Sequence, residues 1–359
     1  MTRYLLAGGG TAGHVNPLLA VADRLTERDP DAAVFVLGTA EGLESRLVPE
    51  RGYPLLVVRK LPFPRRPSLS ALRFPGRFAA TVARIRALIV EHRIDVLVGF
   101  GGYVSAPAYL AARREKIPIV LHEANARPGI ANRFGSLIAD SVGVAFRGTR
   151  LRRARFVGMP LRSEIEQLDR RGEAPAARTE FGLDARKPTL VVTGGSLGAE
   201  HINAVMAEAV HLILGAGWQV LHITGERTSV SFPTLPGYHV LPYCNRMDLA
   251  LAVADLVLAR AGSSTVSELS ALAIPAVYVP LGIGNGEQKL NARDAVAARA
   301  AHIVDNADFT PDWIADKLLP ILGDRARLAG MAASASSTGV RNGTDRMVAL
   351  IDDTLATAP

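Results

Sequence analysis

The chain is 359 residues long, which favours two domains with a core in each. Its 48% hydrophobic and 21% charged content excludes global disorder. The net charge is +7, the single cysteine, Cys244, has no partner for a disulfide or a zinc site, and no charge-free apolar run reaches 18 residues. The first residues run through Arg3 straight into a strand pattern, so no signal peptide is expected and a reduced, cytosolic protein is.

Short apolar runs alternate with helical patterns along the chain, the signature of βαβ units and parallel sheets. In the first half, strands are expected at 4–7, 33–37, 55–58, 95–98, 119–121 and 142–144, with helices near 17–27, 43–50, 69–92 and 105–115. The first strand runs into Gly8-Gly9-Gly10-Thr11-Ala12-Gly13-His14. A glycine turn that opens a helix presents backbone N–H groups at the positive end of the macrodipole, where they hold phosphate. Gly8, Gly10 and Gly13 also match G-x-G-x-x-G, the fingerprint of nicotinamide and flavin sites. Such a site needs an acid at the end of the second strand, yet that strand ends in Gly38-Thr39 and Glu41 lies further into the turn. The oxidoreductase reading therefore lacks its second anchor. Glycines serving only tight helix–strand packing are the simpler alternative. Asp29-Pro30-Asp31 is a literal D-x-D, but it precedes the second strand and is expected to be a surface turn, so no metal site is expected.

From 51 to 90 there are nine basic residues and no acidic one: Arg51, Arg59, Lys60, Arg65, Arg66, Arg73, Arg77, Arg84 and Arg86. Phe63, Leu72, Phe74 and Phe78 are interleaved with them, a composition suited to an anionic membrane surface. A nucleic-acid groove and a plain solvated face are the competing readings. Beyond the strand at 95–98 comes a second glycine-rich turn, Gly99-Phe100-Gly101-Gly102-Tyr103-Val104-Ser105, and beyond the strand at 119–121 comes His122-Glu123-Ala124-Asn125. All lie past the carboxyl ends of parallel strands, where open α/β sheets place ligands. His122 and Glu123 are neighbours leaving a strand, so their side chains are expected to diverge.

Residues 152–160 read as a crossing segment and 170–187 as a polar linker. The second half repeats the plan, with strands expected at 189–193, 219–223, 239–241, 256–258 and 276–279. Its glycine turn is Gly194-Gly195-Ser196-Leu197-Gly198-Ala199. After the strand at 256–258 comes Arg260-Ala261-Gly262-Ser263-Ser264-Thr265-Val266-Ser267-Glu268, in which Ser263 or Ser264 is expected to cap a helix and Glu268 to meet a sugar's vicinal hydroxyls. Asn285-Gly286-Glu287-Gln288 and Asn291 add polar groups past the strand at 276–279. Thr310-Pro311 reads as an N-cap with proline at the first helical position, opening a helix through Leu319. A final helix is expected at 343–357, with either domain open to it as a packing partner.

At these residues the chain resembles the MurG family of peptidoglycan glycosyltransferases over essentially its whole length. Gly9-Gly10-Thr11-Ala12-Gly13-His14, Gly101-Gly102-Tyr103-Val104-Ser105 and Gly194-Gly195-Ser196-Leu197-Gly198-Ala199 look like the family's three glycine loops. His122-Glu123-Ala124-Asn125, Val157-Gly158-Met159-Pro160-Leu161-Arg162 and Thr265-Val266-Ser267-Glu268 match further blocks. The resemblance implies a GT-B fold, two Rossmann-like parallel-sheet domains with an interdomain cleft. It implies an acceptor and membrane-associating domain at 1–158, a UDP-GlcNAc domain at 159–342, and a helix at 343–359 packing back on the first domain. The implied reaction moves GlcNAc from UDP-GlcNAc to the C4 hydroxyl of MurNAc in undecaprenyl-diphosphate-linked lipid I, giving lipid II with inversion and without a cofactor. A UDP-GlcNAc 2-epimerase of the same fold is the alternative.

The implied site uses His14 as general base with Glu123 as its alternative, and Thr11, Ala12, Gly13 and Asn125 near the transferred sugar. Arg162 and Ser196 are implied at the donor diphosphate and Glu268 at the ribose, with Cys244, Ser263, Ser264, Thr265 and Gln288 as further substrate contacts. Ala12, Ala124, Met159, Ala261 and Glu287 depart from the commonest family wording. Implied partners are the anionic membrane surface and the cell-wall synthesis and division proteins, with no nucleic acid, and the implied place is peripheral, on the cytoplasmic face of the cell membrane.

Overall fold

The computed structural model of the chain describes residues 1–64, 72–195, 198–281 and 286–357. Two compact units divide it: Met1–Arg162 together with Asn342–Pro359, and Ser163–Arg341. Arg65, Arg66, Ser196 and Asn285 lie outside the described residues.

In the first unit the strands are β1 (Arg3–Gly8), β2 (Ala33–Gly38), β3 (Leu55–Val57), β4 (Val96–Gly101), β5 (Ile119–Glu123), β6 (Ser141–Val144) and β7 (Ala154–Phe156). They form one parallel sheet in the order β3-β2-β1-β4-β5-β6-β7. The order reverses at β1, which has β2 on one side and β4 on the other, a switch point at which open sheets bind ligands. Because side chains alternate along a strand, Leu6, Val36, Val98 and Val120 face one way and Leu5, Leu37, Leu97 and Leu121 the other. The helices Ala12–Arg28 and Gly343–Ala356 cover the first set, burying Val15, Leu18, Met347 and Ile351. Helices Phe74–Glu91 and Ser105–Glu115 cover the second, burying Val82, Ile85, Ala108 and Tyr109.

Several local expectations change. The first helix begins at Ala12 rather than near Pro17, because Thr11 O already accepts from His14 N (3.0 Å) and Val15 N (3.1 Å). Pro17 sits inside it and has no amide to donate to the helix. The segment read as a crossing contains β7, an edge strand whose short, exposed face has no apolar signal. Residues 159–162, assigned to the second half from the sequence, group with the first unit. His122 Nε2 donates to Gly158 O (2.9 Å) and Thr344 Oγ1 to Leu161 O (3.1 Å), fastening this segment to β5 and to the last helix.

The second unit holds β8 (Thr189–Thr193), β9 (Gln219–Ile223), β10 (Tyr238–Leu241), β11 (Leu256–Ala259), β12 (Ala276–Tyr278) and β13 (Ala301–Ile303). These pair in parallel in the order β10-β9-β8-β11-β12-β13. The three-residue edge strand β13 escaped the sequence reading. The expected linker at 170–187 contains the helix Arg170–Glu180, capped by Asp169, which accepts from Arg171 N (3.1 Å). Only Ala174 and Ala177 of this helix are buried, so it carries almost no apolar periodicity. Thr310 caps as expected, its hydroxyl accepting from Trp313 N (3.2 Å), and the helical run continues through a π turn at Ile314–Leu318 to Leu322. No helix among the described residues is long and apolar enough to cross a membrane.

Candidate active site

In the first unit the turns after β1, β4 and β5 are neighbours, since those three strands are adjacent in the sheet. Gly102 lies so close to the first turn that a Cβ on it would stand 2.6 Å from Gly9 O, and its φ of +88° also excludes most side chains. Ser105 ties the two turns: its hydroxyl accepts from Gly101 N (3.1 Å) and lies 2.7 Å from Gly101 O and 3.1 Å from Ala7 O. The half-buried His14 stands between them. A Cβ on Gly101 would be 3.1 Å from its Nε2. Its Nδ1 is 3.2 Å from Gly9 O and 3.3 Å from Thr11 Oγ1. A carbonyl oxygen only accepts, so the contact with Gly9 O is a hydrogen bond when Nδ1 carries the proton, the tautomer that leaves Nε2 its lone pair. Thr11 is the N-cap of the first helix and makes no side-chain capping bond; Ala12 and Gly13 form the first turn with His14.

The last two residues of β5 diverge. His122 is fully buried, and burial pushes its imidazole down to about 4, so it stays neutral with Nε2–H on Gly158 O. Glu123 is also buried, 2% exposed, and its carboxylate accepts from Asn125 N (2.8 Å), Asn125 Nδ2 (3.4 Å), Gly129 N (3.0 Å) and Asn132 Nδ2 (3.0 Å). A carboxylate with its lone pairs committed to four donors orders the 124–129 loop and is badly placed to take a substrate proton. Of the two candidate bases, the geometry therefore favours His14. Asn132 closes the network, accepting from Tyr109 Oη (2.7 Å), while Tyr109 lies where a Cβ on Gly99 or Gly135 would be.

In the second unit the glycine turn after β8 is tight. Gly198 N donates to Gly195 O (2.9 Å), Gly195 N donates to Thr193 Oγ1 (3.2 Å), and both glycines have positive φ. The helix Glu200–Gly215 follows it with no side-chain cap at Ala199. After β11 the helix Ser263–Ala271 begins at the N-cap Gly262, again without a side-chain cap. Ser263 and Ser264 are thus its first helical residues and not caps, which corrects the sequence expectation: a residue already in helical geometry cannot reach its own first-turn amides. Ser264 Oγ is buried with no partner among the described residues. Thr265 shares that first turn, and half-buried Glu268 lies one turn further along. Gln288 Oε1 accepts from Leu281 N (2.9 Å), and Asn291 Nδ2 donates to Ala261 O (3.2 Å), joining the helix Glu287–Ala297 to the turn after β11. Cys244 lies after the edge strand β10, buried, with burial pushing its thiol up. Arg162 is half-buried at the end of the first unit. Among the described residues no cluster of His, Cys, Asp or Glu fits a metal, and Asp29-Pro30-Asp31 is a turn in which Asp31 N donates to Asp29 Oδ1 (3.1 Å).

The glycosyltransferase family 28 N-terminal domain matches residues 4–144 and the family's C-terminal domain matches residues 189–347. A protein of Leifsonia xyli named UDP-N-acetylglucosamine--N-acetylmuramyl-(pentapeptide) pyrophosphoryl-undecaprenol N-acetylglucosamine transferase is 60% identical over the full length of both chains. The chain belongs to the MurG family of glycosyltransferase family 28. The crystal structure of Acinetobacter baumannii MurG superposes with a TM-score of 0.80 at 28% identity, over 98% of this chain and 100% of that one. The architecture is therefore GT-B, with a parallel Rossmann-like sheet in each half. A UDP-GlcNAc 2-epimerase from Neisseria meningitidis superposes with a TM-score of 0.70 over 98% of this chain and 100% of that one, but at 13% identity it shares the fold alone.

Three side chains of the first-unit site went unread in the sequence: Glu44, Tyr109 and Asn132. Glu44 is the acid after β2, yet it is 1% exposed and turned into the first glycine turn, so it is not a ribose ligand. Its signal was available in the bare backbone around it, because a Cβ on Gly9, Gly38 or Gly42 would collide with it. Gly99 and Gly135 carry the same kind of trace for Tyr109, while Asn132 left none, since its partners come from other elements.

Proposed function

We propose that this chain transfers N-acetylglucosamine from UDP-GlcNAc to the C4 hydroxyl of the muramoyl sugar in undecaprenyl-diphospho-MurNAc-pentapeptide, lipid I, inverting the anomeric carbon and giving lipid II. The observation that carries this reading is the 60% identity, end to end, with a transferase whose name states that donor and acceptor. In this reading His14 Nε2 takes the proton of the attacking hydroxyl, because its Nδ1 is already held by Gly9 O. The first-unit glycine turns receive the acceptor's diphosphate, with Thr11, Ala12, Gly13 and Asn125 near the transferred sugar. The second unit holds the donor, with Ser196 as a diphosphate contact and the uncapped start of helix Ser263–Ala271 offering N–H groups to the same group. Arg162 offsets the charge that develops on departing UDP, and Glu268 accepts from the ribose hydroxyls.

The protein works, in this proposal, as a peripheral enzyme on the cytoplasmic face of the cell membrane, beside cell-wall synthesis and division proteins. Supporting the membrane face, Arg59, Lys60, Arg73, Arg77 and Arg84 are exposed, with Leu72 79% exposed among them. Phe63, Phe74 and Phe78 pack ring on ring at 5.3 and 5.8 Å, which is not the open stacking platform that bases need. The test is incubation with radiolabelled UDP-GlcNAc and a lipid I analogue. Label in the lipid product is expected; epimerised free nucleotide sugar with no labelled lipid overturns the reading.

A further inference from the structure

The peptide between Gly9 and Gly10 is held from both ends. Its N–H, on Gly10, donates to Glu44 Oε2 at 2.8 Å, and its carbonyl, on Gly9, accepts from His14 Nδ1 at 3.2 Å. No peptide bond among the described residues is cis, so this one points its N–H and C=O in opposite directions, with Glu44 on one side and His14 on the other. Glu44 is itself fixed: it is 1% exposed, and its Oε1 accepts from Thr39 N (3.0 Å) and Thr39 Oγ1 (2.8 Å). Burial alone would raise its carboxyl, but the bonds from Gly10 and Thr39 outweigh that and hold it below the usual range, so it is anionic. Glycine at position 9 is what lets the carboxylate come this close, since a Cβ there would stand 2.4 Å from Oε1.

We infer that Glu44 is a positioning residue for His14, acting through the Gly9–Gly10 peptide: the carboxylate polarises that peptide, whose carbonyl then fixes His14 in the Nδ1–H tautomer and leaves Nε2 as the basic nitrogen. Hydrogen bonds in a chain polarise one another, so a buried anion at one end strengthens the acceptor at the other. The arrangement does the work of a carboxylate bonded directly to a catalytic imidazole, with a peptide group interposed. Glu44 touches neither substrate in this scheme. Its effect on rate rests on the proposed role of His14 as base; its effect on the ring does not.

The experiment is nitrogen NMR of the protein labelled at histidine, with the His14 resonances assigned by their loss in His14→Gln, beside steady-state kinetics. In the unsubstituted protein the neutral His14 ring is expected as the Nδ1–H tautomer; a predominant Nε2–H form overturns the inference without any variant. In Glu44→Gln the ring is expected to become a mixture of tautomers. There kcat falls roughly 10- to 100-fold, part of the roughly 10²–10⁴ that a general base contributes, while KM for UDP-GlcNAc stays within about twofold. Thr39→Val, which keeps the shape and removes one donor to the same carboxylate, shifts both readouts the same way by less, and serves if Glu44→Gln does not fold. A tautomer unmoved in both variants sinks the inference. A moved tautomer with an undiminished kcat upholds Glu44 as the residue that orients His14 and removes His14 as the base.

Discussion

His14 and Glu123 were both candidate bases in the sequence, and what separates them is the supply of free lone pairs. Glu123 spends its carboxylate on Asn125, Gly129 and Asn132, whereas His14 uses one nitrogen on Gly9 O and keeps the other. His14→Ala is expected to lower kcat by roughly 10²–10⁴-fold, with UDP affinity in equilibrium binding changed by less than about twofold. An unchanged kcat would remove it from the chemistry. Glu123→Gln is expected to act differently, through the loop it orders. The histidine was legible because a glycine turn at a strand's carboxyl end marks it. Glu44 was passed over, because an acid in the first turn of a short helix pattern looks like any surface acid until the fold turns it inward.

At the scale of elements, the site depends on how closely the turns after β1 and β4 approach each other. Gly102 sets that distance, with backbone rather than a flexible side chain on the other side of the gap. Gly102→Ala must both adopt a φ near +88° and push Gly9 away, so it is expected to cost about 1–3 kcal/mol and lower the melting temperature. Loss of transfer activity should accompany it, since the displaced carbonyl is the one that holds His14; a wild-type melt with wild-type activity would show that the turns are not coupled. Long, buried central strands were read almost residue for residue, as at β8 and β9. The edge strands β7 and β13 and the helix Arg170–Glu180 were missed because they bury too little apolar surface to leave a periodic pattern.

For the whole molecule, charge and protonation decide two further outcomes. Reversing Arg73, Arg77 and Arg84 to Glu is expected to weaken sedimentation with anionic vesicles by at least about 100-fold at low salt, at roughly 1 kcal/mol for each basic residue near the lipid. Unaltered binding would move the membrane face elsewhere. Each unit also buries a neutral histidine in its sheet, His122 on β5 and His222 on β9. His222 donates from Nε2 to Asn203 Oδ1 (3.1 Å) and accepts at Nδ1 from Tyr238 Oη (2.7 Å), and burial pushes it down to about 3. An unfolded imidazole takes its proton near pH ~6.5, so the unfolded chain binds more protons below that value. Stability is therefore intact above pH ~6.5 and declines as the pH falls toward about 3, by on the order of 3–5 kcal/mol for His222. Both tryptophans, Trp218 and Trp313, lie in Ser163–Arg341, so their fluorescence reads this unit in urea. His222→Gln should flatten that acid slope, and an equally steep one refutes the assignment. Two parallel-sheet halves, the family and the polar strand ends were legible in the chain alone, because apolar periodicity and glycine spacing are local properties. It took folding to hold Glu44 and Glu123 inside hydrogen-bond networks while His14, among the described residues, engages Nδ1 and leaves Nε2 open. Which donors surround a carboxylate depends on residues that folding alone brings together.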